Sequence, residues 1–214
     1  MRRMTMPNWC QNEVTITGEE EKLKELKELV REPDPYHGRC TDTFKWLHNE
    51  ETGKGEAIEL PDHCKHDDPI YKDTCDKRYH EFSFNNIIPM PEELRGTSSP
   101  TNVVDTQEEV DKWKEEHPKW DAMGMGRPIT KKEHAKLLTK HKFDNWYDWA
   151  NANWDTKWDA SEVYFQDDGW MLRYEFDTAW SPPEAICYAL RERFPDLNIT
   201  WFFREDGMEM AGYL

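Results

Sequence analysis

The last quarter of the sequence carries an order of elements that restricts the fold more than any other part of the chain. Two apolar stretches with the period of a strand, 161–166 and 170–176, flank residues 167–169 (Asp-Asp-Gly), which are typical of a β-hairpin turn. A proline-initiated helix over 183–194 and a strand over 198–204 follow. A hairpin, a helix and a strand in this order indicate an antiparallel sheet with a helix on one face.

The N-terminal part predicts a strand and a helix of the same kind. Residues 14–17 alternate at period two, and leucines at helical spacing predict an amphipathic helix over 19–32. A further apolar stretch, 79–88, is interpreted as a strand that ends at Pro89. Together with 170–176, 183–194 and 198–204 the order is β-α-β-β-α-β. The predicted fold is therefore α+β and ferredoxin-like, an antiparallel sheet with two helices on one face plus two long insertions.

The predicted ferredoxin-like core is discontinuous along the chain. It comprises residues 1–32, 79–91 and 143–214. Residues 33–78 form a Cys/His-rich insertion with several prolines and few periodic apolar positions, and 92–142 form a helical insertion.

Five short motifs are distributed along nearly the whole chain. They are PNWC with NEV (7–14), FNNIIPMP (84–91), WYDW (146–149), NWDTKWDA (153–160) and FDTAWSPP (176–183). Taken together they resemble the YubB-like (Api-like) family of phage and plasmid proteins with a ferredoxin-like domain. The resemblance implies this fold and carriage by a mobile element, and it brings no catalytic residue with it. The sequence departs from the family at Asp155, where glycine is typical, and in the longer, Cys/His-rich segment 33–78.

The charge of the chain is strongly negative. It has 28 basic and 44 acidic residues, a net charge of −16. Half of that excess lies in residues 155–214, with 13 acidic and 5 basic residues. Such a protein is repelled by phosphate backbones and anionic membranes, so direct nucleic-acid binding is disfavoured. The acidity serves either solubility or docking to a basic protein surface.

Tryptophans are concentrated in the same region, and seven of the eleven lie in residues 146–201. Trp146 and Trp154 share an apolar helical stripe with Phe143 and are predicted to be core. Trp149 and Trp158 do not fit the stripe, so they either cap the sheet or lie exposed, and an exposed tryptophan beside acidic groups would be a protein anchor. A base-stacking platform would need more basic neighbours. The predicted interface residues are Trp149, Trp158, Asp155, Asp159, Asp167, Asp168 and Asp177.

Thiol and imidazole groups are concentrated in the first insertion. Thiolate and imidazole are the preferred ligands of zinc, so a structural zinc site is one interpretation and a polar loop without metal is the other. No other cofactor is predicted. The candidate metal ligands are His37, Cys40, His63, Cys64, His66 and Cys75.

The sequence contains no recognisable catalytic set. A P-loop, GxGxxG, GxSxG and HExxH are all absent, and carboxylate pairs are too common for any one of them to indicate acid–base catalysis. The segment Lys131–Lys142 is a basic helix that either balances nearby acids or contacts nucleic acid.

Targeting features are also missing from the sequence. There is no apolar run of membrane-spanning length and no signal-peptide pattern, and five scattered cysteines are typical of a reducing compartment, so we expect a cytoplasmic protein. Our first hypothesis is a non-enzymatic phage or plasmid protein that binds a basic host protein, such as a defence component. A nucleotide- or metal-dependent enzyme or ligand-sequestering protein is the second, and a nucleic-acid-binding protein the third.

Overall fold

The computed structural model describes residues 8–33, 44–48, 55–59, 79–118 and 126–214. The chain divides into two compact units, Met1–Val30 with Phe82–Leu214, and Arg31–Glu81. In chain order the strands and helices are β1 (Trp9–Thr17), α1 (Glu20–Val30), β2 (Glu32–Pro33), β3 (Phe44–His48), β4 (Gly55–Glu59), β5 (Tyr79–His80), α2 (Phe84–Ile87), a 3-10 turn (Glu92–Leu94), β6 (Val103–Val104), α3 (Gln107–Glu116), β7 (Ile129–Thr130), α4 (Lys131–His141), α5 (Trp146–Asn153), β8 (Ser161–Asp167), β9 (Met171–Ala179), α6 (Glu184–Arg193), β10 (Asn198–Glu205) and β11 (Met210–Tyr213).

The larger unit is organised around a five-stranded antiparallel sheet. Its strand order is β11-β10-β1-β9-β8. Four of these strands, with α1 after β1 and α6 between β9 and β10, form the β-α-β-β-α-β arrangement, and β11 extends the sheet at one edge. The predicted ferredoxin-like fold is confirmed.

The second strand of that arrangement is β8. The prediction that residues 79–88 form this strand is wrong. Residues Tyr79–His80 pair with β2 in the smaller unit, and Phe84–Ile87 are helical. The Asp159 carboxylate accepts a hydrogen bond from the Phe84 amide at 2.7 Å, so it satisfies a free donor at the start of α2. A short apolar run in the sequence does not distinguish a strand from a buried turn of helix. Here the hydrogen bond to a carboxylate far along the chain favours the helix.

One face of the sheet is buried against α1 and α6. The buried residues of β1 alternate with exposed ones, as the pleat of a strand requires. The aromatic ring of Phe82 packs on the same face, with its centroid 4.9 Å from those of Tyr174 and Phe176. The core residues of β1, α1 and α6 are Cys10, Val14, Ile16, Leu23, Leu26, Val30, Ile186, Cys187 and Leu190.

A polar network lies within this buried face. The Asn12 amide donates to Thr178 Oγ1 at 2.9 Å, and its carbonyl oxygen accepts from the indole nitrogen of Trp201 at 3.1 Å. Three strands are thereby joined through one side chain. Because each of these polar groups is hydrogen-bonded, burial does not leave the network unsatisfied.

The helices α3, α4 and α5, which lie between β1 and β8 in the chain, begin at capping residues. Thr106 and Glu109 form a capping box on α3, Thr130 caps α4, and Asn145 caps α5. The predicted polar helix of the second insertion corresponds to α3. In the smaller unit, β3 and β4 form a hairpin. Within the described ranges, no helix is both long and apolar enough to span a membrane.

Candidate functional site

The face of the sheet opposite α1 and α6 carries polar and aromatic side chains. Along β1, Gln11 and Glu13 alternate with the buried residues and are exposed. The register places Asp177 beside Gln11 and Glu175 beside Glu13, so these four side chains share one surface. We call this surface, made by the outward residues of β8, β9, β1 and β10, the open face.

A groove with a volume of about 350 Å³ lies on the open face. Tyr164 on β8 is the register partner of Glu175, and Phe202 on β10 is the register partner of Glu13. Tyr164 is 58% exposed, so much of its surface is available to a partner. Four carboxylates line the groove, those of Glu13, Glu162, Glu175 and Asp177.

Two arginines on the open face are already engaged by carboxylates. Arg173 Nη2 lies 3.0 Å from an oxygen of Glu13 and 2.8 Å from an oxygen of Glu175. Arg204 Nε lies 3.2 Å from Asp206. The fold therefore supplies a cation to one pair of groove carboxylates. The guanidinium of Arg204 also lines the groove, but its Nη2 donates to Gln11 Oε1 at 2.5 Å and not to a groove carboxylate.

Glu162 and Asp177 form the other pair of carboxylates. A β-bulge between Ser161 and Tyr164 places an extra residue of β8 beside Asp177, and Glu162 within it has a φ of 53°. Burial and the nearby charge of Glu162 raise the pKa of the Asp177 carboxyl. In the part of the chain that the structure describes, neither carboxylate has an ion pair or a hydrogen-bond donor. Among the described residues, this pair of groove carboxylates is therefore the one without a direct counter-charge.

An aromatic pair lies at the same end of the open face. The rings of Trp9 and Trp158 have centroids 6.1 Å apart, and Trp158 is 41% exposed. Trp9 precedes Gln11 by two residues and thus faces the same side as the groove. Lys157 Nζ lies 3.9 Å from the centroid of Trp158, and burial lowers the pKa of this lysine. The structure therefore brings the predicted residues Trp158 and Asp177 to one end of one surface.

Asp155 and Asp159, also predicted as interface residues, hold helix starts. The Asp155 carboxylate accepts from the Ala185 amide at 2.8 Å in the first turn of α6. Its φ of 62° is the left-handed conformation that glycine adopts most easily, consistent with the departure noted at this position. Asp159 serves α2 in the same way. Because both carboxylates satisfy backbone donors, they contribute first to the fold.

Asp167 and Asp168 lie in the predicted hairpin turn. Asp167 forms an ion pair with Lys27 at 2.7 Å and accepts from the Gly169 amide at 2.9 Å. The hydrogen bond from Lys27 holds the pKa of Asp167 below its usual range. Asp168 accepts from the side chain of Gln166 at 3.1 Å. Neither carboxylate lines the groove.

Trp149 is buried, with 6% of its surface exposed, and its interpretation as an exposed anchor is wrong. Its ring packs edge-on against Trp154 at 5.4 Å. The cause is the start of α5, because the Asn145 side chain accepts from the Asp148 amide at 2.9 Å and begins the helix at Trp146. The predicted apolar stripe is counted from Phe143. Because Phe143 lies before the first residue of α5, its position does not determine which side of the helix is buried.

The basic helix α4 is partly neutralised. Lys131 pairs with Asp105 and Lys140 pairs with Glu93, both at 2.5 Å. The hydrogen bond from Lys140 lowers the pKa of the Glu93 carboxyl to about 2. These contacts support the interpretation that Lys131–Lys142 balances nearby acids, while a nucleic-acid contact remains an untested alternative.

The zinc prediction concerns residues outside those that the structure describes. His37, Cys40, His63, Cys64, His66 and Cys75 all lie there. Among the described residues, no group of three or more His, Cys, Asp or Glu side chains has the geometry of a metal site. Burial raises the pKa of the Cys10 thiol to about 11 and also raises that of Cys187, so both are protonated near neutral pH.

Several groove residues were missing from the predicted interface. Glu13, Tyr164 and Phe202 alternate with buried neighbours on their strands, so the period of a strand indicates their outward orientation. Glu162 gives the same signal, since it is exposed two residues before Tyr164, but its place beside Asp177 depends on the bulge. That these residues meet follows from the strand order and register.

Residues 153–214 match the family model described as the ferredoxin-like domain in Api92-like protein. That segment contains β8, β9, α6, β10 and β11, and the match agrees with the fold found here. No curated protein matches the sequence at a significant level. Among solved structures, the crystal structure of a protein api92 from Yersinia pseudotuberculosis is similar at 14% identity and a TM-score of 0.45, covering 97% of this chain and 93% of that chain.

Proposed function

We propose that this protein is a non-enzymatic binding protein that docks a partner protein with a basic surface onto its open face. The observation that carries the proposal is the groove, where four carboxylates line a surface flanked by aromatic rings. Arg173 compensates Glu13 and Glu175, whereas Glu162 and Asp177 keep their charge. Charge complementarity of this kind favours a cationic partner and opposes an anionic one.

The charge of the whole chain supports the same direction of recognition. The net charge is −16, and residues 155–214, which include three strands of the open face and its bulge, contribute half of it. A negative field of this extent raises the association rate with a basic protein and lowers it with nucleic acid. Tyr164, Phe202 and Trp158 add apolar and aromatic contact area, which is characteristic of the centre of protein interfaces.

The resemblance to phage and plasmid proteins suggests where the partner is found. We propose a mobile-element protein that acts in the cytoplasm of its host and binds a host protein. A component of a defence system is the partner class we would test first, with the chain acting as a counter-defence inhibitor of the anti-CRISPR or anti-restriction type. A protein that normally holds nucleic acid has the basic surface that this role requires.

Capture from host lysate on the immobilised full chain tests the proposal. We expect a partner whose capture decreases between low and physiological salt, because exposed charges are screened beyond about 8 Å at 0.15 M. The double variant Glu162→Gln/Asp177→Asn should reduce capture strongly. The control Asp168→Asn/Glu192→Gln removes the same charge from two exposed positions outside the groove and should retain it. Equal capture by both variants would contradict docking at the open face.

A further inference from the structure

The open face already contains one example of how it holds a cation. Arg173 extends along the sheet and places a single nitrogen, Nη2, between Glu13 and Glu175, at 3.0 and 2.8 Å. These two carboxylates belong to adjacent strands and lie directly opposite each other in the register. A guanidinium from the same protein thus bridges one cross-strand carboxylate pair.

In the next row a second carboxylate pair has no direct ion pair among the described residues, because the arginine of that row, Arg204 on β10, donates to Gln11 and pairs with Asp206. Asp177 lies two residues beyond Glu175 on β9, on the same face, and the bulge of β8 brings Glu162 to its side. Side chains two residues apart on a strand are separated by about 7 Å. The two rows are therefore close enough for an arginine of a partner to lie alongside Arg173.

We infer that Glu162 and Asp177 form the subsite for one arginine side chain of the partner, whose guanidinium bridges them as Arg173 bridges Glu13 and Glu175. This inference rests on the proposed function. It specifies which side chain of the partner's basic surface binds at this pair. Two features of the groove support it. The groove carries uncompensated charge at this pair, and burial together with Glu162 raises the pKa of Asp177, which an incoming cation would reverse.

The surroundings of the pair favour arginine over lysine. Tyr164 lies two residues from Glu162 on β8 and is exposed, and the Trp9–Trp158 pair lies at the other side of the row. A planar guanidinium stacks on such rings and donates to two carboxylates in different directions, whereas an ammonium is compact and more strongly hydrated. Lys157 over Trp158 shows that an aromatic ring at this end of the face already holds a cation.

Two short glycine–serine peptides, identical except for arginine or lysine at the same positions, provide the test with the full-length protein. The dissociation constants are measured by calorimetry near 0.1 M salt, and the contact surface by backbone amide NMR shifts. We expect the arginine peptide to bind about 5-fold or more tightly than the lysine peptide, with shifts centred on β8 and β9. Asp177→Asn and Glu162→Gln should each weaken the arginine peptide by about 10-fold and abolish the preference.

The control Asp168→Asn removes the same charge from the exposed turn of the same hairpin and should change the affinity less than 2-fold. Amide spectra of each variant establish that it is folded. Equal affinity of the two peptides, or equal effects of Asp177→Asn and Asp168→Asn, would overturn the arginine subsite while leaving docking of a basic protein intact. If neither peptide binds the wild-type protein and the Glu162→Gln/Asp177→Asn variant retains full lysate capture, both the subsite and the open-face proposal fail.

Discussion

The two faces of the sheet are built from the same strands, and alternate residues of β1 supply both. On one side Val14 and Ile16 are fully buried against helices, and the buried polar residue Asn12 has all its contacts inside the protein. On the other side Gln11 and Glu13 line a groove that contains four carboxylates, two of which have no ion pair among the described residues. The buried network around Asn12 thus satisfies its polar groups internally, whereas the open face leaves the carboxylates of Glu162 and Asp177 without a direct counter-charge.

The largest difference in stability between substitutions on the two faces is expected at two adjacent residues of β10. Trp201 is fully buried and packs against Phe82 and Phe176, while Phe202 is half-buried on the open face. Trp201→Ala should lower the free energy of unfolding by about 3–5 kcal/mol, because it leaves a cavity and removes a hydrogen bond to Asn12. Phe202→Ala should lower it by about 1 kcal/mol. Urea unfolding measures both, and equal losses would contradict the division of the sheet.

Asn12→Ala tests the buried network more narrowly. The substitution leaves the Trp201 indole N–H and the Thr178 hydroxyl without this partner in a buried site, so we expect a loss of about 2 kcal/mol. Gln11→Ala, one residue away on the open face, should change stability by about 0.5 kcal/mol or less. The same urea titration compares the two variants. A neutral Asn12→Ala would mean that water replaces the network without loss.

Local sequence patterns predicted the buried face better than the open one. The amphipathic helix, the hairpin around residues 167–169 and the alternation in β1 each depend on neighbouring residues, and each is present. The segment 79–88 could not be assigned in this way, since the carboxylate that makes Phe84–Ile87 helical lies about 75 residues away. Glu162 was missed for a similar reason, because a bulge and the register, both tertiary features, bring it to Asp177.

Carboxylates that serve the fold should respond differently from those that serve the groove, and Asp155 separates the two classes. Asp155→Gly keeps the left-handed conformation and loses the hydrogen bond to Ala185, so we expect a loss of about 1 kcal/mol. Asp155→Ala loses the hydrogen bond and also adds strain at a φ of 62°, which should bring the loss to about 2 kcal/mol. Thermal unfolding orders the two variants. If Asp155→Ala were more stable than Asp155→Gly, the left-handed backbone conformation would not explain why glycine is typical at this position.

The smallest expected effect on stability is that of a substitution at Asp177, and it is a gain where the others are losses. Burial and Glu162 raise the pKa of its carboxyl in the folded protein above the usual 3.8, so the folded state binds this proton more tightly than the unfolded state. The stabilisation from that proton is present at low pH and is lost as the pH rises through the raised pKa. At neutral pH the ionised carboxylate therefore weakens the fold, and Asp177→Asn should raise the melting temperature slightly.

Asp167→Asn is the matched control on the same hairpin. Lys27 lowers the pKa of Asp167, so its ionised form stabilises the fold above the usual 3.8 and this contribution is lost as the pH falls. Asp167→Asn should thus lower the melting temperature at pH 7, while the gain from Asp177→Asn should shrink as the pH is reduced through 3.8. Melting curves over this range test both signs. A lower melting temperature for Asp177→Asn at pH 7 would show that its carboxylate is compensated within the fold, and the open face would then lose the unsatisfied charge on which partner binding depends.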